Sequence, residues 1–342
     1  MLLDRYGPRR VVAALFCIAA AGALTFALAR DFAMLSTGRA LIGLGVSGGL
    51  MGAIKAFTLW FPLSRLATLN GLYLAAGGLG GLSATAPAEA LLGPFGWRAL
   101  FAGLAALSLV AALLVFFVVP EKPLPGEGQT LRRQIADFGK IFSRVTFWRI
   151  VLPFVICHAG YLTLQGLWLG PWLYDVAGLS RHSVGYYLFV TAAAYTLGSV
   201  FFGLSSDRLA AAGISILSVF KIGMALSIAA FWLLASGVTS GLGALLFVYG
   251  FTTISAALAY ALLMPTFPTE MTGRVSTASN VLMFSLSFLF QWGVGAVLKL
   301  YPVVDGRYSP QGYSTALMIL GVLQVAVLAW LLPMRIRGQS PN

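Results

Sequence analysis

The sequence predicts an all-α integral membrane protein, and three observations lead to this fold class. Hydrophobic residues make up 59% of the 342 residues and charged residues only 9%, whereas soluble domains carry about 25% charged residues. Apolar runs of about 20 residues, long enough to cross a bilayer as a helix, recur along the chain. Lysine and arginine gather in alternate connections between these runs, as the positive-inside rule describes. Lipid is therefore the solvent for most of this chain.

The apolar runs define ten predicted spans and an orientation. The spans lie at 11–29, 33–60, 68–92, 98–119, 150–174, 184–204, 214–235, 241–264, 276–299 and 314–333. When the N-terminus is placed in the cytoplasm, most of the basic residues between spans also lie there. We expect a multi-pass protein of the bacterial inner (cytoplasmic) membrane with both termini in the cytoplasm.

The charge, cysteine and motif content argue against several other classes of protein. The net charge of +12 is scattered between apolar runs and forms no basic patch, so no nucleic-acid partner is expected. Cys17 and Cys157 sit inside apolar runs and are expected to be free thiols. No zinc or phosphate-binding motif is present, so we expect no cofactor, no metal and no enzyme. Gly45-Val46-Ser47-Gly48 resembles the motif of intramembrane serine proteases, but Ser47 is better explained as a small packing residue.

One polar stretch divides the chain into an N-terminal bundle of four spans, 1–119, a cytoplasmic linker, 120–149, and a C-terminal bundle of six spans, 150–342. Pro120, Pro123 and Pro125 open the linker. A basic amphipathic helix on the inner membrane face is expected to follow them, with its apolar residues at helical spacing: Leu131, Ile135, Phe138, Phe142 and Val145.

The two bundles contain an internal repeat. Asp4-Arg5 before the first span matches Asp207-Arg208 after the sixth, and Phe61-Pro62 matches Phe267-Pro268. Both matches fall in cytoplasmic loops, as expected for parallel repeats. The second half has two spans before its Asp-Arg pair and the first half has none, so we expect two further helices to precede Met1.

Three motifs along the chain, which begin at Asp4, Arg39 and Gly96, resemble motifs that occur in the same order in the major facilitator superfamily. The start Asp4-Arg-Tyr-Gly-Pro-Arg-Arg10 matches, with one inserted proline, the loop after that family's second helix; Arg39-x-x-x-Gly-x-Gly45 and Gly96-Trp-Arg98 also match. The resemblance implies ten of the usual twelve transmembrane helices, in two pseudo-symmetric bundles around a central cavity. The antiporter and nitrate-carrier signatures of the family are absent, so the direction of transport stays open.

The resemblance also implies that the Asp-Arg loops hold the halves together and act as a gate. The residues concerned are Asp4, Arg5, Arg9, Arg10, Asp207 and Arg208. Carboxylates and guanidinium groups can make and break charge-assisted bonds between moving bundles. The alternative is that these residues are ordinary positive-inside loop charges.

Charged residues inside the predicted spans are candidates for solute binding or coupling. Arg39 lies well inside its span, where a charge is expensive without a partner or water; in the family this arginine is linked to substrate or proton coupling. The alternative is that Arg39 snorkels to the interface. Glu89 is a possible partner for Arg39, and Lys55 is a further candidate at the cytoplasmic end of its span. Glycines 45, 48 and 52 lie opposite Arg39 and would allow another helix to approach closely.

The fifth span carries a polar face that predicts a cavity wall. Its members follow the spacing 3, 4, 3, 4 and so share one side of a helix: His158, Tyr161, Gln165, Trp168 and Trp172. Lipid would not solvate these polar tips. The alternative is a polar seam between helices.

Two further spans carry polar residues at helical spacing. They are Tyr249, Thr253 and Tyr260 in the eighth span and Ser276, Asn280, Ser287 and Gln291 in the ninth. The resemblance implies that these spans and the fifth line the cavity.

These observations predict a monomeric secondary active transporter that moves a small organic solute across the lipid bilayer by alternating access, driven by a gradient of protons or another ion. Arg39, Lys55, Lys221 and Lys299 outnumber Glu89 within the spans, which favours an anionic solute. The alternative is a truncated, non-transporting relative that acts as a solute sensor or is an inactive remnant.

Overall fold

A computed structural model of the protein describes residues 2–120, 138–211, 213–268 and 271–334. The chain folds as two compact units, Met1–Thr130 and Leu131–Asn342, and the division falls inside the predicted linker. Across the described ranges, nine helices are long and apolar enough to cross a membrane. The predicted all-α membrane architecture is therefore confirmed.

The described residues of unit 1, Met1–Thr130, form five helices. They are α1 (Leu2–Ala27), α2 (Phe32–Val46), α3 (Gly49–Trp60), α4 (Leu63–Ser83) and α5 (Ala86–Val118). Helix α1 packs against α2, α5 and α3. Its buried face is made mostly of small residues such as Ala13, Ala19 and Ala23, which let the neighbouring backbones come close.

The approach of α1 to α2 depends on glycine at the crossing. A Cβ atom added to Gly45 would collide with the backbone of Ala19, and one added to Gly38 would lie 2.8 Å from the Phe26 nitrogen. Gly43, between them, has open space around it. The glycine contact predicted from the sequence at Gly45 is therefore present, and it continues toward the start of α2 through Gly38.

Two glycines with positive φ interrupt the helices of unit 1. Gly7 has φ +78° and is followed by Pro8, so a new helical segment begins at a proline; Gly96 has φ +72° and follows Pro94. Glycine adopts this conformation without the Cβ clash of other residues, and proline is favoured at the first helical position. The apolar segment that enters the bilayer therefore begins after Gly7.

The third predicted span, 68–92, is not one continuous helix. Helix α4 ends at Ser83 and α5 begins at Ala86. Thr85, between them, has a non-helical backbone and donates its hydroxyl to the Leu82 carbonyl at 2.6 Å. Of the ten predicted spans, this is the one whose helix, α4, is not among the nine that are long and apolar enough to cross a membrane in the described residues.

The described residues of unit 2 contain eight α-helices, one short π-helix and two short 3₁₀-helices. The α-helices are α6 (Val145–Thr163), α7 (Leu169–Asp175), α8 (Arg181–Ala211), α9 (Ile216–Ala235), α10 (Leu242–Thr253), α11 (Leu258–Leu263), α12 (Thr272–Leu298) and α13 (Pro310–Leu331). A π-helix, Leu164–Trp168, joins α6 to α7. The 3₁₀-helices Ile254–Ala257 and Met264–Thr266 flank α11.

Helix α6 lies at the centre of unit 2, where it packs against α11, α12 and α13. Phe147, Ile150 and Val151 of its first turns are fully buried. Residues 138–142, at the end of the predicted amphipathic helix, are helical, and Ile141 is buried in the same core. The first part of that predicted helix lies outside the described residues.

Basic side chains complete the ends of membrane helices in both units. The Lys221 ammonium of α9 donates to the carbonyls of Leu332 at 2.7 Å and Met334 at 2.8 Å, at the end of α13. Arg9, near the start of α1, donates to the Phe116 carbonyl of α5 at 2.6 Å. The last carbonyls of a helix have no partner within the helix, and a cation near them is favourable.

Two further arginines make the same kind of contact. The Arg144 guanidinium donates to the Thr266 carbonyl at 2.9 Å, and that of Arg98 donates to the Ala29 carbonyl at 3.2 Å. Arg98 also lies over the Trp97 ring, 4.3 Å from its centroid. Since an unsatisfied carbonyl in lipid costs several kcal/mol, these cations act first as parts of the fold.

Replacing Gly45 by alanine should destabilise unit 1, because the new methyl group collides with the backbone of α1. We expect a loss of about 1–3 kcal/mol, measured as a lower midpoint of thermal unfolding in detergent. Gly43→Ala, two residues away on the open side of α2, is the matched control and should be neutral or slightly stabilising. Equal midpoints for the two variants would contradict the packing described here.

Replacing Lys221 by methionine should lower the unfolding midpoint by several degrees, because two carbonyls at the end of α13 lose their donor at a cost of about 1–3 kcal/mol. Lys299→Met makes the same change at the exposed end of α12 and should shift stability by about 0.5 kcal/mol or less. A Lys221→Met protein as stable as the wild type would show that the cap contributes nothing.

Candidate functional site

The polar face of α6 meets tyrosines from three other helices in unit 2. His158 and Tyr161 come from α6, Tyr195 from α8, Tyr249 from α10 and Tyr260 from α11. We call these five residues the tyrosine–histidine cluster. The hydroxyl of Tyr195 lies 3.2 Å from Nε2 of His158, and the rings of Tyr161 and Tyr195 stack with centroids 4.6 Å apart.

Ring contacts connect the rest of the tyrosine–histidine cluster. Tyr249 lies 5.9 Å from Tyr161 between ring centroids. Phe154 bridges His158 and Tyr260, at 5.6 Å and 5.1 Å. His158, Tyr161 and Tyr249 are buried, whereas Tyr195 and Tyr260 are partly exposed. The cluster therefore has a buried base and a more open edge.

Tyr195 was missed by the sequence prediction. It lies in α8 four residues after Thr191, which is fully buried, and eight after Tyr187. This spacing of polar residues in a membrane span is the same signal that identified the face of α6. Applied to the predicted span 184–204, it would have indicated a polar face containing Tyr195.

Three of the predicted polar residues, Tyr260, Asn280 and Thr253, form hydrogen bonds between helices. Tyr260 donates its hydroxyl to Oδ1 of Asn280 at 2.8 Å. Thr253 lies 2.6 Å from the Ser227 hydroxyl and also bonds the Tyr249 carbonyl one turn earlier. The first bond joins α11 to α12 at the open edge of the cluster, and the second joins α10 to α9 in the buried interior.

The C-terminal part of the predicted polar face, in and after the π-helix Leu164–Trp168, packs against α12. Trp168 donates its indole N–H to the Gln291 carbonyl at 2.9 Å, and the Gln291 amide donates to the Leu162 carbonyl at 3.2 Å. Trp172 is fully buried. For Trp168, Trp172 and Gln291 the arrangement is the alternative left open from the sequence, a polar seam between helices.

Gln165 occupies a different position within the π-helix. Its Nε2 donates to the Leu188 carbonyl of α8 at 3.0 Å. Its Oε1 is buried and has no hydrogen-bond partner among the described residues. The same holds, within this part of the chain, for Nδ1 of His158 and the hydroxyl of Tyr249. Buried polar atoms are rarely left unpaired, so each of these requires an explanation.

In unit 1, Arg39 lies in α2 about two turns from its N-cap, Asp31. Its guanidinium lies 5.6 Å from the centroid of the Phe26 ring. Glu89 near the start of α5 and Lys55 in α3 are partly buried. An ion pair between Arg39 and Glu89 is absent from the described residues. Ser47 bonds the Leu44 carbonyl at the end of α2, as a local cap.

Of the six predicted gating residues, Arg9 and Arg10 have side chains in the described part of the structure. The side chains of Asp4, Arg5, Asp207 and Arg208 lie outside the described part of the structure. Arg9 makes two contacts with Phe116. Its Nε donates to the Phe116 carbonyl, and its guanidinium carbon lies 5.0 Å from the centroid of the Phe116 ring. Arg10, beside it, is exposed.

Comparison with known proteins agrees with this architecture. The family model of the Major Facilitator Superfamily matches residues 1–291. The probable sulfoacetate transporter SauU of Cupriavidus necator is 24% identical to the chain, over 97% of the chain and 73% of its own length. The nitrate/nitrite transporter NrtP of Picosynechococcus sp. is 28% identical over 43% of the chain and 32% of its own length.

A solved structure shares the fold. The crystal structure of a bacterial homolog to the human lysosomal transporter Spinster, in an inward-facing and occupied conformation, superposes with a TM-score of 0.71 at 16% identity. The match covers 97% of this chain and 83% of that one. From the family match over most of its length and the shared fold, this multi-pass membrane protein belongs to the Major Facilitator Superfamily of transporters.

Proposed function

We propose that this protein is a secondary active transporter that moves a small organic anion across the membrane by alternating access. A gradient of protons or another ion drives the movement. The bacterial inner membrane, with both termini in the cytoplasm, is the location that fits the distribution of basic residues. The chain acts as a monomer in this proposal.

The observation that carries the proposal is Arg39. A guanidinium inside a membrane-crossing helix is costly unless water or an anion compensates it. Arg39 lies within the membrane-crossing segment Phe32–Phe57, and its side chain is exposed at the surface of unit 1. It lies over the Phe26 ring and has no carboxylate partner in the described residues. A guanidinium binds carboxylate and sulfonate oxygens through charge-assisted hydrogen bonds. Arg39 is thus the anion-binding group, and Lys55 on α3 adds a second positive charge in the same unit.

The names of the similar proteins support an anionic solute. One is described as a probable sulfoacetate transporter and the other as a nitrate/nitrite transporter, and both of these solutes are small anions. Sequence identities of 24–28% are too low to assign the particular solute of either relative to this protein. The shared class, a small anion, is what the proposal adopts.

Within unit 2, the tyrosine–histidine cluster supplies neutral hydrogen-bonding groups and a place for a coupling proton. His158 and Tyr195 share a hydrogen bond of 3.2 Å, and an imidazole can take up and release a proton. Changes in the protonation of His158 would alter its bond to Tyr195, and through it the stack of Tyr195 on Tyr161. Asp4, Arg5, Arg9, Arg10, Asp207 and Arg208 act as the gate.

The anion role of Arg39 can be tested with a matched pair of arginine variants. Arg39→Gln should raise the half-saturating concentration of the transported anion about tenfold or more, because a charge-assisted contact contributes roughly 1.5–3 kcal/mol. Arg30→Gln makes the same change at an exposed residue after α1 and should leave transport unchanged. Uptake into proteoliposomes containing the purified full chain provides the measurement.

Two results would contradict this proposal. If Arg39→Gln transports an anion with unchanged affinity, Arg39 only snorkels to the interface. A wild-type protein that transports cationic or neutral solutes but no anion would remove the anionic class altogether. Arg39→Lys serves as a further control, because it keeps the charge and loses the planar fork; its affinity should fall between those of the wild type and Arg39→Gln.

A further inference from the structure

The described residues of unit 2 contain six buried side-chain polar atoms without a hydrogen-bond partner, and three of these lie on or beside the polar face of α6. These three are Oε1 of Gln165, Nδ1 of His158 and the hydroxyl of Tyr249. His158 and Gln165 share one face of α6 and the π-helix, two turns apart. Tyr249 touches Tyr161, which lies between them on that face. The three atoms therefore belong to one region of the bundle.

The orientation of the Gln165 amide is fixed by its neighbour. The Leu188 carbonyl can only accept a hydrogen bond, so the Gln165 atom 3.0 Å from it must be the NH₂ nitrogen. The other amide atom, Oε1, is therefore an acceptor that cannot donate. The π-helix Leu164–Trp168 gives Gln165 this position, and such interruptions of a helix are frequent at functional sites.

The other two atoms can also accept a hydrogen bond. A tyrosine hydroxyl has acceptor lone pairs, and one imidazole nitrogen is an acceptor in the neutral ring. Leaving a buried hydrogen-bonding group unpaired is unfavourable, because it has given up its bonds to water. Only Oε1 of Gln165 is restricted to accepting, whereas the Tyr249 hydroxyl and the His158 ring can also donate, so a ligand that contacts all three brings at least one hydrogen-bond donor.

The charge of the surroundings limits what kind of donor fits. In the described residues of unit 2, the buried polar side chains are hydroxyls, one imidazole and one amide, with no carboxylate among them. An ammonium group would lose its hydration without gaining a counter-charge. The desolvation free energy of a neutral hydroxyl or amide N–H group is much smaller, and such a group can donate to Oε1 of Gln165.

We infer that unit 2 recognises a neutral hydrogen-bond donor on the transported solute, so that the solute is a hydroxylated or amide-bearing organic anion. This inference rests on the transport function proposed above and makes it narrower. Gln165 accepts from the solute, and Tyr249 and His158 complete the contact. Anions that bear no donor are then poor solutes for this protein.

The test uses pairs of small anions that differ by one hydroxyl group: lactate with propanoate, and malate with succinate. Purified full-length protein in proteoliposomes should transport the hydroxylated member of a pair with an affinity about fivefold or more higher, the effect of one ordinary hydrogen bond. Gln165→Met and Tyr249→Phe should each reduce this preference toward equality.

Matched variants separate this effect from misfolding. Tyr249→Phe removes a hydroxyl that has no partner in the described residues, so its unfolding midpoint should equal or exceed that of the wild type. Tyr186→Phe and Gln311→Met make the same replacements at exposed residues and should keep the preference. A variant that is stable yet has lost the preference supports a solute contact.

The outcomes distinguish this inference from the function on which it rests. If the wild type transports no organic anion, the proposed function is wrong. If it transports both members of each pair equally, or if Gln165→Met and Tyr249→Phe keep the full preference, transport of anions stands and the donor-recognising site is overturned.

Discussion

The structure depends on the requirement that every backbone carbonyl inside the bilayer finds a hydrogen-bond donor. Continuous helices meet this requirement by themselves, but helix ends and breaks do not. In this protein side chains supply the missing donors: Lys221 at the end of α13, Arg9 at the end of α5, and Gln291 at the π-helix that follows α6. Many polar residues of the spans therefore serve the fold, because they donate hydrogen bonds to backbone carbonyls of neighbouring helices.

This requirement also separates the candidate site residues that bond neighbouring helices from those that could bind a solute. Trp168, Gln291 and Thr253 look like solute-binding groups in the sequence, yet each is bonded to a neighbouring helix. Among the candidate residues that the structure describes, the guanidinium of Arg39 in unit 1 and the unpartnered atoms of His158, Tyr249 and Gln165 in unit 2 are not bonded in this way. Each unit thus offers a different chemistry, positive charge in one and neutral hydrogen-bonding groups in the other.

The sequence predicted the helices well, because the bilayer imposes a minimum length and apolar composition on each span. It also predicted that His158 and Tyr161 share a face, since helical periodicity alone decides this. It did not predict the break at Thr85 or the π-helix at Gln165, where local backbone geometry overrides a continuous apolar pattern. Nor did it predict the bond of Lys221 to α13, which joins residues 111 positions apart.

Lys221 shows why site prediction from sequence has a physical limit. Counted with the other cations in the spans, Lys221 favoured an anionic solute; in the structure it caps a helix and is not evidence for solute charge. A tertiary contact of this kind leaves no periodicity in the sequence. Arg39 differs, because its family motif and its position in α2 both single it out.

The central claim is that an ion gradient drives a small organic anion through this protein. The most direct measurement is uptake of radiolabelled lactate or malate into proteoliposomes of the full chain, with and without an imposed proton gradient. The account predicts saturable uptake that rises above equilibrium when the gradient is present and stops at equilibrium when an ionophore collapses the gradient. Uptake that is absent for every organic anion, or that ignores all imposed ion gradients, would contradict it.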